Sequence, residues 1–486
     1  MQLHVLCLLM TSPHSPAAVH WDGRLWAVLI VLCGVLFLDG LDVSMVGVAL
    51  PSIQADLGLT NSELQWIVSG YVLGYGGLLL LGGRVADLLG RKRTLIAALA
   101  VFTVASALGA LVDDGTVLVI TRFIKGMAAA FTAPAGLSII TTTFAEGPAR
   151  NKALTIYTAT GASGFSLGLV FGGLLTEIGW RWTFLLPVPV ALALLIAAPR
   201  VIRADRPQLG ARRRFDIPGA VTVTAAMLLL VRTVVEAPAE GWSSLATILG
   251  FALAATLLAA FVAIEHRTAQ PLLRLSILKS GRLVRANLAG MSLFGAYFGF
   301  QFVGTLYLQG MLGWSPVETA LAFLPAGLLV AVGATRMGPV ITRVGTEKVI
   351  AAGLAASVIG YLLFLRMDSD PSYAGTILPT ILLLGTGFAL IYPAANIQAT
   401  SGIGDSEQGL ASGLINTAFQ VGGALGLAII TAVVSAQMGD GTDAASLLDG
   451  YRPAVAVSAG IALLGLLATL PGIIPARRTR EALDAA

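Results

Sequence analysis

The chain has 486 residues, of which 56% are apolar and only 12% charged, and its mean hydropathy is +0.85. A soluble domain carries about a quarter charged residues, so this composition excludes one and describes a polytopic membrane protein. The net charge of +4 is no nucleic-acid signal, because the cations gather in short segments between apolar runs. Cys7 and Cys33 are the only cysteines, too few for a disulfide framework or a cysteine-based metal site. His4, His14, His20 and His266 all lie outside the apolar runs, so histidine is not the intramembrane proton carrier.

Residues 1–24 read as a cytoplasmic tail, or as the mark of a start codon placed too far upstream, rather than as a signal peptide. No basic residue precedes the short apolar stretch 3–10, and Pro13 and Pro16 follow it. Runs of about 20 apolar residues suit membrane-spanning helices. Fourteen are counted, at roughly 26–50, 64–82, 95–112, 116–139, 153–176, 182–200, 217–236, 245–264, 285–308, 317–336, 348–366, 375–398, 409–436 and 453–474. The segments at 83–94, 150–152, 200–214, 267–285, 336–348 and 477–480 are basic and fall on one side by alternation. The positive-inside rule makes that side cytoplasmic, with both termini inside. The acidic segment 399–408 is an exception on that side. Opposite segments carry Asp56, Glu63, Asp113, Asp114, Glu240 and Asp370.

Between the second and third runs, residues 83–93 read as a short charged turn. Gly83 and Gly90 would allow a tight backbone, and Arg84, Arg91, Lys92 and Arg93 would hold the turn at the cytoplasmic face. Asp87 is a carboxylate among these cations. A degenerate echo occurs later: Gly338 and Gly345 repeat the spacing of Gly83 and Gly90, with Thr342 at the place of Asp87.

The first run contains Asp39 and Asp42. A carboxylate at membrane depth is costly and is by default a functional hypothesis. Three residues apart, the two share one helix face and compete for ionisation, so a proton exchanged there is expected. The fourth run carries Arg122 and Lys125, and the fifth a stripe of Gly161, Gly164, Gly168, Gly172 and Gly173. Glycines four apart let helices approach closely. No nucleotide-binding loop, metal cluster or nucleophile–histidine pair is present in the sequence, so transport would draw on an ion gradient or run downhill.

These residues carry a resemblance. The spacing Gly83, Asp87, Gly90, Arg91, Lys92 resembles the loop signature of the major facilitator superfamily, with Val85 and Leu88 departing from it. Leu41, Asp42, Val48, Ala49, Leu50 and Pro51 resemble the helix-1 signature of its fourteen-helix drug:proton antiporters, with Ser44 for the usual Thr and Gly47 for Asn. Arg122 and Gly126 match the family's helix-4 pattern, with Lys125 where Gln is typical. The run 164–173 matches the antiporter glycine signature in every glycine, with Leu169 for its proline. Trp180 and Trp182 look like the family's sequence entering helix 6 and suit an outer interfacial belt. Gln309, Gly313, Ser315, Pro316 and Pro325, and then Gly409, Ser412, Gly413 and Asn416, resemble the group's second-half signatures.

The resemblance implies an all-α major facilitator fold of fourteen helices: a six-helix bundle at 25–200, a basic linker at 201–216, two extra helices at 217–264, a linker at 265–284, a second bundle at 285–474 and a tail at 475–486. It implies proton-coupled efflux of small, largely apolar compounds across the cytoplasmic membrane, with no cofactor beyond the proton gradient. In the family the 83–93 loop latches the two bundles. Asp42 is expected as the main coupling carboxylate and Asp39 as a lesser partner. From the run ends, Asp42 and Arg122 differ in depth by about 3 Å, so an ion pair is expected if their helices are neighbours. Lys125 is open between a substrate-site role and a structural pair. An importer on the same fold, or a non-transporting regulator or channel, are the rival readings; the helix-5 glycines and the buried charges weigh against them.

Overall fold

The computed structural model describes residues 21–145, 148–203, 216–268, 271, 275–403, 408–438 and 444–473, and every regular element among them is helical. The N-terminal half comprises α1 (Gly23–Leu57), α2 (Asn61–Leu89), α3 (Arg91–Gly109), α4 (Gly115–Thr143), α5 (Pro148–Ile178), the short α6 (Arg181–Leu185) and α7 (Pro187–Val201). Two further helices follow, α8 (Ile217–Glu240) and α9 (Leu245–Arg267). The C-terminal half comprises α10 (Gly281–Thr305), extended by a π-helical turn to Met311, then α11 (Pro316–Val344), α12 (Thr346–Phe364), α13 (Leu378–Thr400), α14 (Gln408–Met438) and α15 (Ala444–Ile473). Among the described residues thirteen spans are long and apolar enough to cross a bilayer, α6 and α7 counting as one, and the 29-residue α2 is the further long helix that makes fourteen. The linker segment 204–215 and the tails 1–20 and 474–486 lie outside the described residues.

The helices overrun the apolar runs. α1 continues through Pro51 to Leu57, about two turns past the predicted end, and stops at Gly58, whose left-handed backbone (φ 62°) closes it with an N–H bond to Gln54 O. The next helix starts at once. Thr60 and Glu63 form a reciprocal cap, Thr60 N donating to Glu63 Oε2 at 2.9 Å and Glu63 N to Thr60 Oγ1 at 3.3 Å. The tail expected at 1–24 is likewise cut short, since α1 begins at Gly23.

The same overrun corrects the expected turn at 83–93. Gly83 and Asp87 sit in the last turns of α2, Arg91 and Lys92 open α3, and Gly90 alone forms the joint. Its φ of 100° and ψ of 132° belong to a region essentially reserved for glycine. Gly345 joins α11 to α12 in the same way, at φ 90° and ψ 147°, so the repeat seen in the sequence is a structural one. Arg91 Nη1 donates to Ser138 O at 3.3 Å, and Lys92 Nζ to Pro199 O and Ile202 O, both at 2.6 Å. These cations thus cap the ends of α4 and α7, where the helix dipole favours positive charge. The side chain of Asp87 lies outside the described residues.

The halves share a packing plan. α1 packs on α5 as α10 packs on α14, α2 on α4 as α11 on α13, and α3 on α7 as α12 on α15. Between halves, α5 lies against α11 and α2 against α14; α8 fits beside α2 and α14, and α9 leans on α8. The start of α1 and the end of α15 mark what we term the near face. There the buried apolar clusters stay within single halves: one spans Val28 to Ile202 in α1 to α7, the other draws on α10 to α14 with Val223 and Phe261. Toward the far face one cluster runs through both halves, from Val46, Leu50 and Leu169 to Phe300, Phe323 and Ile430. Gln309 Nε2 donates to Val48 O at 3.0 Å and Ser166 Oγ to Gly327 O at 2.8 Å across the same seam. The halves are therefore joined from the far side to the middle, where a further cluster sets Tyr71, Tyr75 and Leu79 of α2 against Tyr297, Phe298, Ala424 and Ala428, whereas among the described residues the buried clusters of the near face stay within single halves.

Trp180 departs from the expected interfacial belt. It is buried, and its Nε1 donates to Asp56 Oδ2 at 2.9 Å while Arg181 bonds both Asp56 and Asp113. Only Trp182 is exposed.

Gly90→Ala and Gly345→Ala should each destabilise the folded protein by about 1–3 kcal/mol, the range for a side chain forced into such a backbone region. Gly83 meets only Pro134 Cβ, at an ordinary 3.6 Å, so Gly83→Ala should be nearly neutral. Melting temperatures of the detergent-purified variants check this ordering.

Candidate functional site

α1 rises from the near face and α4 descends from the far face, so their faces meet in opposite order. On α4 the positions 122, 125, 129 and 132 form one stripe at helical spacing, and it faces the side of α1 that carries Asp42 and Asp39. α4 is held there by its contact with α2. A Cβ at Gly74 would stand 2.9 Å from Met127 N, and Gly126 presses equally closely on the Tyr71 backbone.

Arg122 pairs with Asp42 through Nη1 and Oδ2, and Lys125 pairs with the same carboxylate through Nζ and Oδ1. Each oxygen thus has its own cation. Asp42 and Lys125 are 0% exposed and Arg122 1%. Arg122 Nε also donates to Ile67 O at 3.1 Å, and the guanidinium lies 4.6 Å from the centre of the Tyr71 ring. Lys125 Nζ lies 4.9 Å from the Phe102 ring and 5.1 Å from that of Phe184. Aromatic faces supply part of the stabilisation that water would otherwise give the cations. The expected pair of Asp42 and Arg122 is present. The depth argument behind it used a run end that α1 overruns; the pair forms because α1 and α4 are neighbours.

Asp39 lies one turn nearer the near face, 6% exposed. Its Oδ2 is 3.3 Å from Thr132 Oγ1, which is itself 3.1 Å from Ala129 O. The glycine stripe of α5 backs this part of α1. Gly164 meets the Phe37 backbone, Gly168 meets Leu41 and Ser44, and a Cβ at Gly172 would stand 2.8 Å from Met45 Cα. Gly173 turns to the other half, where a Cβ would come within 2.6 Å of Ala320 Cβ on α11. The stripe is therefore a packing surface for both α1 and α11.

The C-terminal half brings aromatic rings to the middle of the molecule, which the sequence reading missed. Phe294 of α10 stacks on Phe419 of α14 with centroids 4.7 Å apart, and Phe388 stacks on Tyr392 within α13 at 5.6 Å. Tyr297 lies 5.5 Å from Phe388 and, across the halves, 6.1 Å from Phe165 of α5. The available signal was the i, i+4 aromatic pairs 294/298 and 388/392, which place two rings on one helix face. One half thus contributes buried charge and the other an aromatic wall.

A sequence profile of the Major Facilitator Superfamily matches residues 32–427. The chain is 36% identical to the puromycin resistance protein of Streptomyces alboniger over 95% of its own length and 93% of that protein. It is 37% identical to the cephamycin export protein of Amycolatopsis lactamdurans over 92% of both. The xylose transporter XylE from E. coli superposes with a TM-score of 0.62 at 15% identity, covering 92% of this chain and 97% of that one.

Removing the carboxylate from a buried ion cluster leaves charge uncompensated and typically costs about 3–5 kcal/mol. Asp42→Asn should therefore lower the melting temperature sharply, and Asp42→Asn/Lys125→Met should recover part of the loss. A single variant as stable as the wild type would contradict the clamp.

Proposed function

The chain belongs to the major facilitator superfamily, and from that premise we propose that it is a proton-coupled exporter of small, largely apolar, antibiotic-type compounds. It is a multi-pass membrane transporter. The observation that carries the export reading is the near full-length similarity to a resistance protein and an export protein. The site supports it. Rings such as Phe294, Phe388, Tyr392 and Phe419 offer stacking surfaces to a flat or apolar cargo.

The near face carries Arg91, Lys92, Arg93, Lys152, Arg200, Arg267, Lys279, Arg282 and Lys348, whereas the far face carries Asp56, Glu63, Asp113, Asp114 and Glu240. Positive charge at the near face supports a cytoplasmic location for it and for both termini. Cargo would then enter from the cytoplasm, the side on which the buried clusters of the described residues do not join the halves. Rocking of the halves about the central site would carry it outward, and the buried acids of α1 would exchange a proton in each cycle. The proton gradient is the proposed energy source, with no other cofactor. The Gly90 joint with Arg91 and Lys92, and the region of Gly83 and Asp87, are proposed to move as part of this rocking.

Everted membrane vesicles with an acidic lumen should concentrate puromycin or a cephamycin, and a protonophore should abolish this. Accumulation that ignores the gradient would reject proton coupling. Phe388→Ala and Phe419→Ala should lower uptake by about two- to tenfold, the worth of one aromatic contact. In intact cells, Asp114→Cys should react with an impermeant thiol reagent and Arg267→Cys only after permeabilisation; the reverse pattern would invert the orientation.

A further inference from the structure

We propose that Lys125 commits Asp42 to a permanent ion cluster and leaves Asp39 as the carboxylate that takes up and releases the coupling proton. The inference rests on the proton-coupled export reading and assigns its proton to one residue.

Both oxygens of Asp42 are occupied by cations, and the three groups are sealed from solvent. A proton could reach Asp42 only by displacing one of them. That would leave two cations buried beside a neutral acid, an arrangement that a low-dielectric interior strongly disfavours. Arg122 is further fixed to Ile67 O and to Tyr71, so it is not free to withdraw. Lys125 is the decisive residue, because with Arg122 alone one oxygen of Asp42 would stay open.

Asp39 differs on each point. Its hydrogen-bond partner is a hydroxyl, which serves both protonation states. Thr132 Oγ1 can donate to the carboxylate, or it can donate to Ala129 O while accepting from the protonated acid. Asp39 is also one turn closer to the near face, the side on which the buried clusters of the described residues stay within single halves. The groups around it are Asp42 on its own helix, Lys125 and Thr132 on α4, Tyr71 and Tyr75 on α2, and Tyr157 on α5; Tyr392 of α13 faces Tyr75 and Tyr157. Of these only Lys125 is a cation, and it is bound to Asp42. Asp42, Arg122 and Lys125 together carry one net positive charge, which ionised Asp39 cancels and protonated Asp39 leaves. In the cycle, Asp39 accepts a proton from far-face water when that face opens. It carries the proton as a neutral acid and returns it to near-face water as cargo binds.

The test uses everted vesicles and purified protein, with puromycin as the probe. Wild-type protein should accumulate puromycin under a proton gradient and, in detergent, release protons when it binds. Asp39→Asn should accumulate no more than vesicles lacking a gradient and release no protons, yet exchange labelled for unlabelled puromycin above the level of empty vesicles. Asp39→Asn/Lys125→Gln should regain part of the gradient-driven uptake, because Asp42 then has an oxygen free to take the proton. Gradient-driven uptake by Asp39→Asn at the wild-type rate would overturn the assignment. So would an Asp39→Asn protein that still releases protons on binding. Wild-type protein that binds and exchanges puromycin but ignores the gradient would instead overturn the export reading's proton coupling.

Discussion

Asp42 lies buried inside the N-terminal half with Arg122 and Lys125 each on one of its oxygens. Burying three ions is costly unless their geometry is close and every remaining donor is satisfied. That demand reaches outward through the fold. α4 must lie tight against α2, which the small residues at Gly74 and Gly126 permit, and α1 must lie tight against α5, which Gly164, Gly168 and Gly172 permit. Phe102 of α3 and Phe184 of α6 complete the enclosure around Lys125. Helices from the whole N-terminal half are thus arranged around one carboxylate.

The two halves have parted chemically while keeping one plan. The positive-φ joints at Gly90 and Gly345 and the matched helix pairs preserve the repeat. At the centre, α1 carries two acids, whereas α10 carries Phe294, Tyr297 and Phe298. Asp87 has Thr342 as its counterpart. A repeat that conserves backbone and varies side chains lets one half specialise in charge and the other in apolar contact.

Much of this was legible in the sequence, for identifiable reasons. Membrane spans announce themselves by apolar length, and an acid such as Asp42 stands out because hydrocarbon tolerates so few. The paired glycines at 83/90 and 338/345 exposed the repeat. Helix ends were less legible, because a helix does not stop where the apolar run stops: α1 runs on through Pro51, and α2 carries Gly83 and Asp87 within it. The aromatic wall was missed because it is assembled from α10, α13 and α14, far apart in the chain, and each ring alone reads as ordinary span composition. Trp180 was misplaced for a similar reason. Its partner, Asp56, is over a hundred residues away. The partner of Lys125 could be chosen only once α1 and α4 were known to touch.

The far-side seam has a thermodynamic consequence. It is lined by the same residue types as the bundle interiors, with Val46, Leu50 and Leu169 meeting Phe300, Phe323 and Ile430. Any motion that parts it must hydrate this surface, at a free-energy cost that grows with the apolar area wetted and with an increase in heat capacity. The near-face clusters close within single halves and are not wetted by the same motion. If the halves rock as proposed, the parting of this seam changes hydration on the far side, and cooling, which weakens apolar adhesion, eases it.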